Sequence, residues 1–123
     1  RYRVPARLLR EGANDDQIAA AIEPAGPKPI SDGASTDTEG NHYFTDLGNN
    51  AITVLRTDGR LETLVKDDRL LWPDALSFGA PGWLYVAVNQ LHRAPALNGG
   101  VEGAEPPFRI LRVWTGRQGI AGR

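Results

Sequence analysis

The sequence predicts an all-β chain assembled from a repeated antiparallel unit, and three observations carry that expectation. First, DGASTDTEGNHYFTDL at 32–47 overlays DALSFGAPGWLYVAVN at 74–89 without a gap. Asp32 falls on Asp74, Ser35 on Ser77, Gly40 on Gly82 and Tyr43 on Tyr85, at a constant offset of 42 residues. Second, from Ile30 onward short apolar or aromatic runs alternate with turn signals rich in Gly, Asn and Asp. Third, WLYVAV at 83–88 is apolar almost throughout, as expected of a strand in a sheet buried on both faces.

Taken in order, YRVP at 2–5 reads as the end of a strand. ANDDQIAAAIEP at 13–24 carries a short helix in a connecting loop. Asn14 is its N-cap, Gln17 completes a capping box, Asp15 and Asp16 suit the first turn, and Pro24 is expected to stop it. ASTD, HYFTD, AITVLRT and LETLV then read as four strands joined by TEGN, LGNN and the Asp-Gly turn TDGR. The pattern restarts with ALSF, the turn APG, WLYVAV and, after a long Gly/Pro-rich loop at 89–107, FRILRVW. TGRQGIAGR at 115–123 reads as a frayed tail.

A four-stranded unit recurring every 40–50 residues or so is the mark of a β-propeller blade; the alternatives are a β-sandwich or another β meander. On the propeller reading, 1–30 is the end of a preceding blade plus the helical loop, 31–73 a complete blade, and 74–114 a second, less regular one. Propellers use roughly 4–8 blades, so a chain of about two is expected to be part of a larger ring. The start at Arg1 and the lack of methionine fit a processed product or an excised piece.

Composition narrows the function classes. The 123 residues are 41% hydrophobic and 24% charged, which is globular, and a net charge of −1 with interspersed signs offers no basic patch for nucleic acid. Apolar runs such as IAAAI at 18–22 fall far below the ~20 residues of a membrane span. With no cysteine, disulfide and thiol chemistry are excluded.

The repeat itself supplies the candidate site. Asp32 and Asp74 each immediately precede the first strand of their unit, and in a propeller that strand lines the central channel. Two carboxylates would then converge on one axis, suiting a hard divalent cation with further ligands from elsewhere. Without a metal, their mutual repulsion would favour acid–base work. The structural alternative is that both aspartates cap turns, with Ser35 and Ser77 as local partners. Asn89, at the end of the strand after Asp74, reads as a rim or turn residue. His42 and His92 share no ligand spacing, Trp72, Trp83 and Trp114 read as core, and Arg93 and Arg112 read as solvated.

Four stretches together carry a family resemblance: SDGASTDTEGNHYFTDLGNNAI, LLWPDALSF, LYVAVNQLHR, and NGG followed by PPFRILRV. They resemble the C-terminal part of the major royal jelly protein/Yellow family, closer to its bacterial members, over about residues 2–114. The resemblance implies roughly the last third of a secreted or periplasmic six-bladed propeller, with a small-molecule pocket at the channel mouth lined by Asn89. The roles it implies range from isomerase-type dopachrome conversion to binding of small amines or sterols to storage. A more distant resemblance runs to the metal-dependent gluconolactonase/senescence-marker-protein propellers. It implies Asp32 and Asp74 as two ligands of a divalent cation, Ca²⁺ or Zn²⁺. There SDG and PDA depart from that group's S-N-G and P-D-G, and the group's glutamate ligand has no counterpart in this chain. The sequence thus leaves three functions open: a small-ligand binder or isomerase, a metal-dependent lactonase, and a non-catalytic structural or storage protein.

Overall fold

The computed structural model describes residues 1–120, so the end of the expected tail, 121–123, lies outside the described residues. Among the described residues the chain is mostly β, with three antiparallel sheets and two short α-helices. The N-terminal arm pairs β1 (Tyr2–Arg3) with β2 (Glu23–Pro24). Between them lie α1 (Ala6–Arg10), a single turn the sequence reading passed over, and α2 (Asp15–Ala20). The capping box of α2 is present in both directions, Gln17 N–H to Asn14 Oδ1 at 2.9 Å and Asn14 N–H to Gln17 Oε1 at 3.1 Å. Pro24 does not stop this helix. The helix ends at Ala20 with Ala21 as C-cap, and Pro24 lies in the extended pairing with Tyr2.

The first large sheet runs β3 (Ala34–Thr36), β4 (His42–Asp46), β5 (Ala51–Leu55), β6 (Leu61–Lys66), each strand beside the next in sequence. The second runs β7 (Pro73–Phe78), β8 (Trp83–Val88), β9 (Arg109–Trp114). The long Gly/Pro-rich loop and the tail both have local structure. Residues 89–107 contain two 3₁₀ turns, Leu91–Arg93 and Pro95–Leu97. The stretch 115–120 is not frayed: it forms an isolated bridge between Asp37 and Gly119, and Thr38 N–H and Ile120 N–H bond the carbonyls of Gln118 and Thr36.

The 42-residue repeat is visible in backbone geometry. Ser35 stands opposite Tyr43 in the first sheet and Ser77 opposite Tyr85 in the second. Asp37 N–H bonds the Asn41 carbonyl at 3.1 Å, and Gly79 N–H bonds the Trp83 carbonyl at 3.2 Å. Gly40 and Gly82 close the two turns with φ of +87° and +83°, a region that favours glycine.

The core lies between the two sheets. Tyr43, Ile52 and Val54 on one face of the first sheet meet Leu84, Val86 and Val88 of the second, with Leu70 beside them. The Tyr43 ring meets Phe78 edge-on at 5.2 Å. Alternation along each strand sends these residues to one face, and each fully buried aliphatic stabilises by about 1.5–3 kcal/mol. Opposite faces of the repeat therefore meet, because Leu84 and Val86 hold the positions that His42 and Phe44 hold in the first sheet. The outer face of the second sheet stays open: Ile110 and Trp114 are 76% and 60% exposed, whereas Ile52, equivalent to Ile110, is fully buried.

One end of the first sheet holds a buried polar knot. Asp37 is fully buried. Its Oδ1 accepts from the Glu39 and Asn41 amides at 2.9 Å, and its Oδ2 accepts from Asn41 Nδ2 at 2.8 Å and the Tyr43 hydroxyl at 3.0 Å. Burial, then the bond to the Asp37 carboxylate, pushes the Tyr43 phenol well above the usual tyrosine value, with Arg56 opposing. The linkage follows from that sign. Stability is complete below about pH 10, where an unfolded tyrosine is still neutral, and is lost as pH rises toward the folded value. Unfolding free energies measured from pH 9 to 12 are expected to fall more steeply for the native chain than for Tyr43→Phe; parallel curves would refute the assignment.

Candidate functional site

Asp32, Asp74 and Asn89 are brought to one end of the paired sheets. Gly33 makes this possible. A Cβ there would overlap the Asp74 carbonyl oxygen and stand 3.0 Å from Ala75 Cα, so the backbone after Asp32 rests directly on the backbone at Asp74. Thr45 Oγ1, fully buried on β4, holds the approach by accepting from the amides of Asp32 and Gly33, both at 3.1 Å. A register shift between Pro73 and Ala75 leaves Asp74 outside the regular β7–β8 pairing.

Each carboxylate has a side-chain partner distant in sequence. Asp32 Oδ2 accepts from the Trp72 indole N–H at 2.6 Å. Asp74 Oδ2 accepts from Asn89 Nδ2 at 2.7 Å, and Asn89 Oδ1 accepts from the Leu91 amide at 2.9 Å. The expected local partner Ser77 does not reach Asp74; its hydroxyl donates to the Phe78 carbonyl at 3.2 Å. Asp32 is exposed, while Asp74, Asn89 and Trp72 are half-buried. The Trp72 ring lies nearly parallel to His92, with 14° between planes and 5.8 Å between centroids.

Trp72 and His92 thus belong to this cluster. Trp72 is not core. It adopts φ +55°, rare for a bulky residue, and its carbonyl receives the Asn89 amide at 3.4 Å. His92 stacks on it from the 3₁₀ turn. Neither role could be found from local spacing, although LLWPD and VNQLHR were the stretches that carried the resemblance. Trp83 and Trp114 are not core either: they meet edge-on at 5.0 Å on the open face. Arg112 is not simply solvated, because its guanidinium sits 4.3 Å over the Trp83 ring. Arg93 bonds Gln90 Oε1 at 3.2 Å and pairs with Glu105. His42 Nδ1 lies 2.9 Å from Thr36 Oγ1.

The donor set here does not by itself amount to a cation site. It offers two carboxylates, each with one oxygen engaged by a neutral donor, and an amide oxygen already accepting from Leu91. A Ca²⁺ ion takes 6–8 oxygens and Zn²⁺ about four ligands. Among the described residues no group of three or more His, Cys, Asp or Glu side chains could hold a metal ion. What the arrangement offers chemically is a pair of acceptors flanked by an indole and an imidazole. Among the described residues no helix is long and apolar enough to cross a membrane. No protein-family model matches this chain, and no curated protein matches its sequence.

Proposed function

We propose that this chain is part of a secreted six-bladed propeller of the royal-jelly/Yellow kind, binding a small organic ligand at the rim formed by Asp32, Asp74 and Asn89. The observation that supports the binding reading is the contact of the Gly33 backbone with the Asp74 backbone, which brings the chain at the two equivalent aspartates of the repeat close together. The ring reading is supported by the way the sheets stack. One face of the repeat packs on the opposite face of the next copy, a head-to-tail contact of the kind that forms a ring when the rotation between copies closes.

Two acceptors beside an indole and an imidazole favour a ligand with ammonium or other N–H donors. In calorimetric titration of the full-length polypeptide with tyramine as probe, Asp74→Asn and Asn89→Ala are each expected to weaken binding by about tenfold or more, the worth of one hydrogen bond to a charged group. Unchanged affinity in both variants would sink the rim assignment. An isomerase-type proton transfer would run through Asp32 or Asp74, so Asp32→Asn or Asp74→Asn would then also remove turnover. The lactonase reading requires cation ligands from outside residues 1–120. It gains support only if Ca²⁺ or Zn²⁺ raises the melting temperature of the native protein and not of Asp74→Ala.

A further inference from the structure

A cavity of about 670 Å³ lies between the edge strands β3 and β7 and the segment 115–120. That volume is in the range of small-molecule sites. It is separate from the rim: Asp32 and Asp74 stand where β3 and β7 begin, and neither lines it. The segment 115–120 fastens the other end of these strands, bonding Thr36 and Thr38 at the end of β3 and Gly82 in the turn after β7.

A close approach builds the apolar wall. A Cβ on Gly119 would overlap Phe78 Cβ and stand 2.7 Å from its Cγ, so glycine lets the segment lie directly on that side chain. Phe78 is fixed in turn by its edge-on contact with the buried Tyr43 at 5.2 Å. Leu76, Pro81 and Ile120 extend the wall.

The charge of the cavity is opposite to that of the rim. Arg117 lines it, and its described lining includes no carboxylate. The Arg117 backbone is held at both groups: its amide donates to Thr115 Oγ1 at 3.1 Å, and its carbonyl accepts from the Gly82 amide at 3.1 Å. Its guanidinium pairs through Nη1 with Glu39, which lines a neighbouring cavity and not this one. A guanidinium carries five N–H donors, so one such bond leaves it able to take a second acceptor. Gln118 adds a side-chain amide beside it.

We infer that this cavity is a second small-molecule site, taking an aromatic carboxylate. The ligand's ring lies on the Phe78 and Leu76 wall, and its carboxylate accepts from Arg117. Planar guanidinium suits a carboxylate better than a point charge would, and a backbone already fixed reduces the ordering cost of binding. None of this depends on the propeller reading.

Calorimetric titration of the full-length polypeptide with trans-cinnamate tests the site. Saturable binding is expected, with the uncharged cinnamamide weaker by about tenfold or more. Arg117→Leu should weaken cinnamate by a similar factor. Glu39→Gln breaks the same ion pair but keeps the cation, so there cinnamate affinity should hold or rise. Absence of saturable binding at millimolar cinnamate, or unchanged affinity in Arg117→Leu, overturns the inference. An equal loss in Glu39→Gln and Arg117→Leu traces the effect to a loosened segment and also overturns it. So does displacement of cinnamate by tyramine, the probe of the rim, which would put both in one site.

Discussion

Asp37→Asn is expected to destabilise the protein by about 3 kcal/mol, the order seen when a buried, fully bonded carboxylate is broken up. Both oxygens of Asp37 are acceptors, one for two backbone amides and the other for Asn41 Nδ2 and the Tyr43 hydroxyl. An amide cannot replace it. With its NH₂ on the Oδ1 side the Asn faces two backbone N–H donors, and on the Oδ2 side it forces the Tyr43 hydroxyl and the Asn41 amide to give up donating and turn to accept. Urea denaturation should show a lower midpoint with an unchanged slope. In a double-mutant cycle with Tyr43→Phe the two losses should not add, because they share one bond. A midpoint within experimental error of the native one would show that the knot contributes nothing net.

Gly33→Ala is expected to cost about 2–3 kcal/mol, at the upper end of overpacking effects, because the obstacle is backbone rather than a side chain that can swing away. The added methyl meets the Asp74 carbonyl and Ala75 Cα, so relief requires the first residues of the two sheets to separate. That separation would move Asp32 away from the Trp72 indole, which it meets at 2.6 Å. Two readouts should change together: the urea midpoint should fall and the Trp72 emission should shift. A variant with native midpoint and native emission would show that the rim tolerates a gap there.

Much of the sheet structure was legible because strands announce themselves locally. HYFTD and WLYVAV were read to the residue, since aromatic and β-branched runs bounded by Gly turns leave few other readings. What escaped was of two kinds. Asp37 escaped because the comparison of repeats looks for what the copies share, and the counterpart of Asp37 is Gly79. In the second copy the Tyr85 ring lies where a side chain would be, since a Cβ on Gly79 would stand 2.5 Å from the ring. A knot present in one copy alone is invisible to an alignment of the two. Trp72, His92 and the docked stretch 115–120 escaped because their partners lie far away in sequence. Of the candidate site, Asp32 and Asp74 were singled out by the repeat and Asn89 by its place at the end of the strand after Asp74, whereas the aromatic pair beside them depended on a positive φ at Trp72 that no spacing rule foresees.

The stretch 115–120 has a consequence for the order in which the protein matures during synthesis. Arg117 pairs with Glu39 across 78 residues of sequence, the Ile120 amide donates to the Thr36 carbonyl, and the Gln118 carbonyl accepts from the Thr38 amide. The first sheet can zip up from local hairpins soon after it leaves the ribosome. Its β3 margin stays unfastened until residues 115–120 have emerged, a wait of several seconds at roughly 5–20 residues per second. A product truncated shortly before Thr115 would therefore keep strands β1 to β9 but lack the strap that 115–120 lays across the end of the two sheets. Such a product should be the form most readily cleared by quality-control proteases.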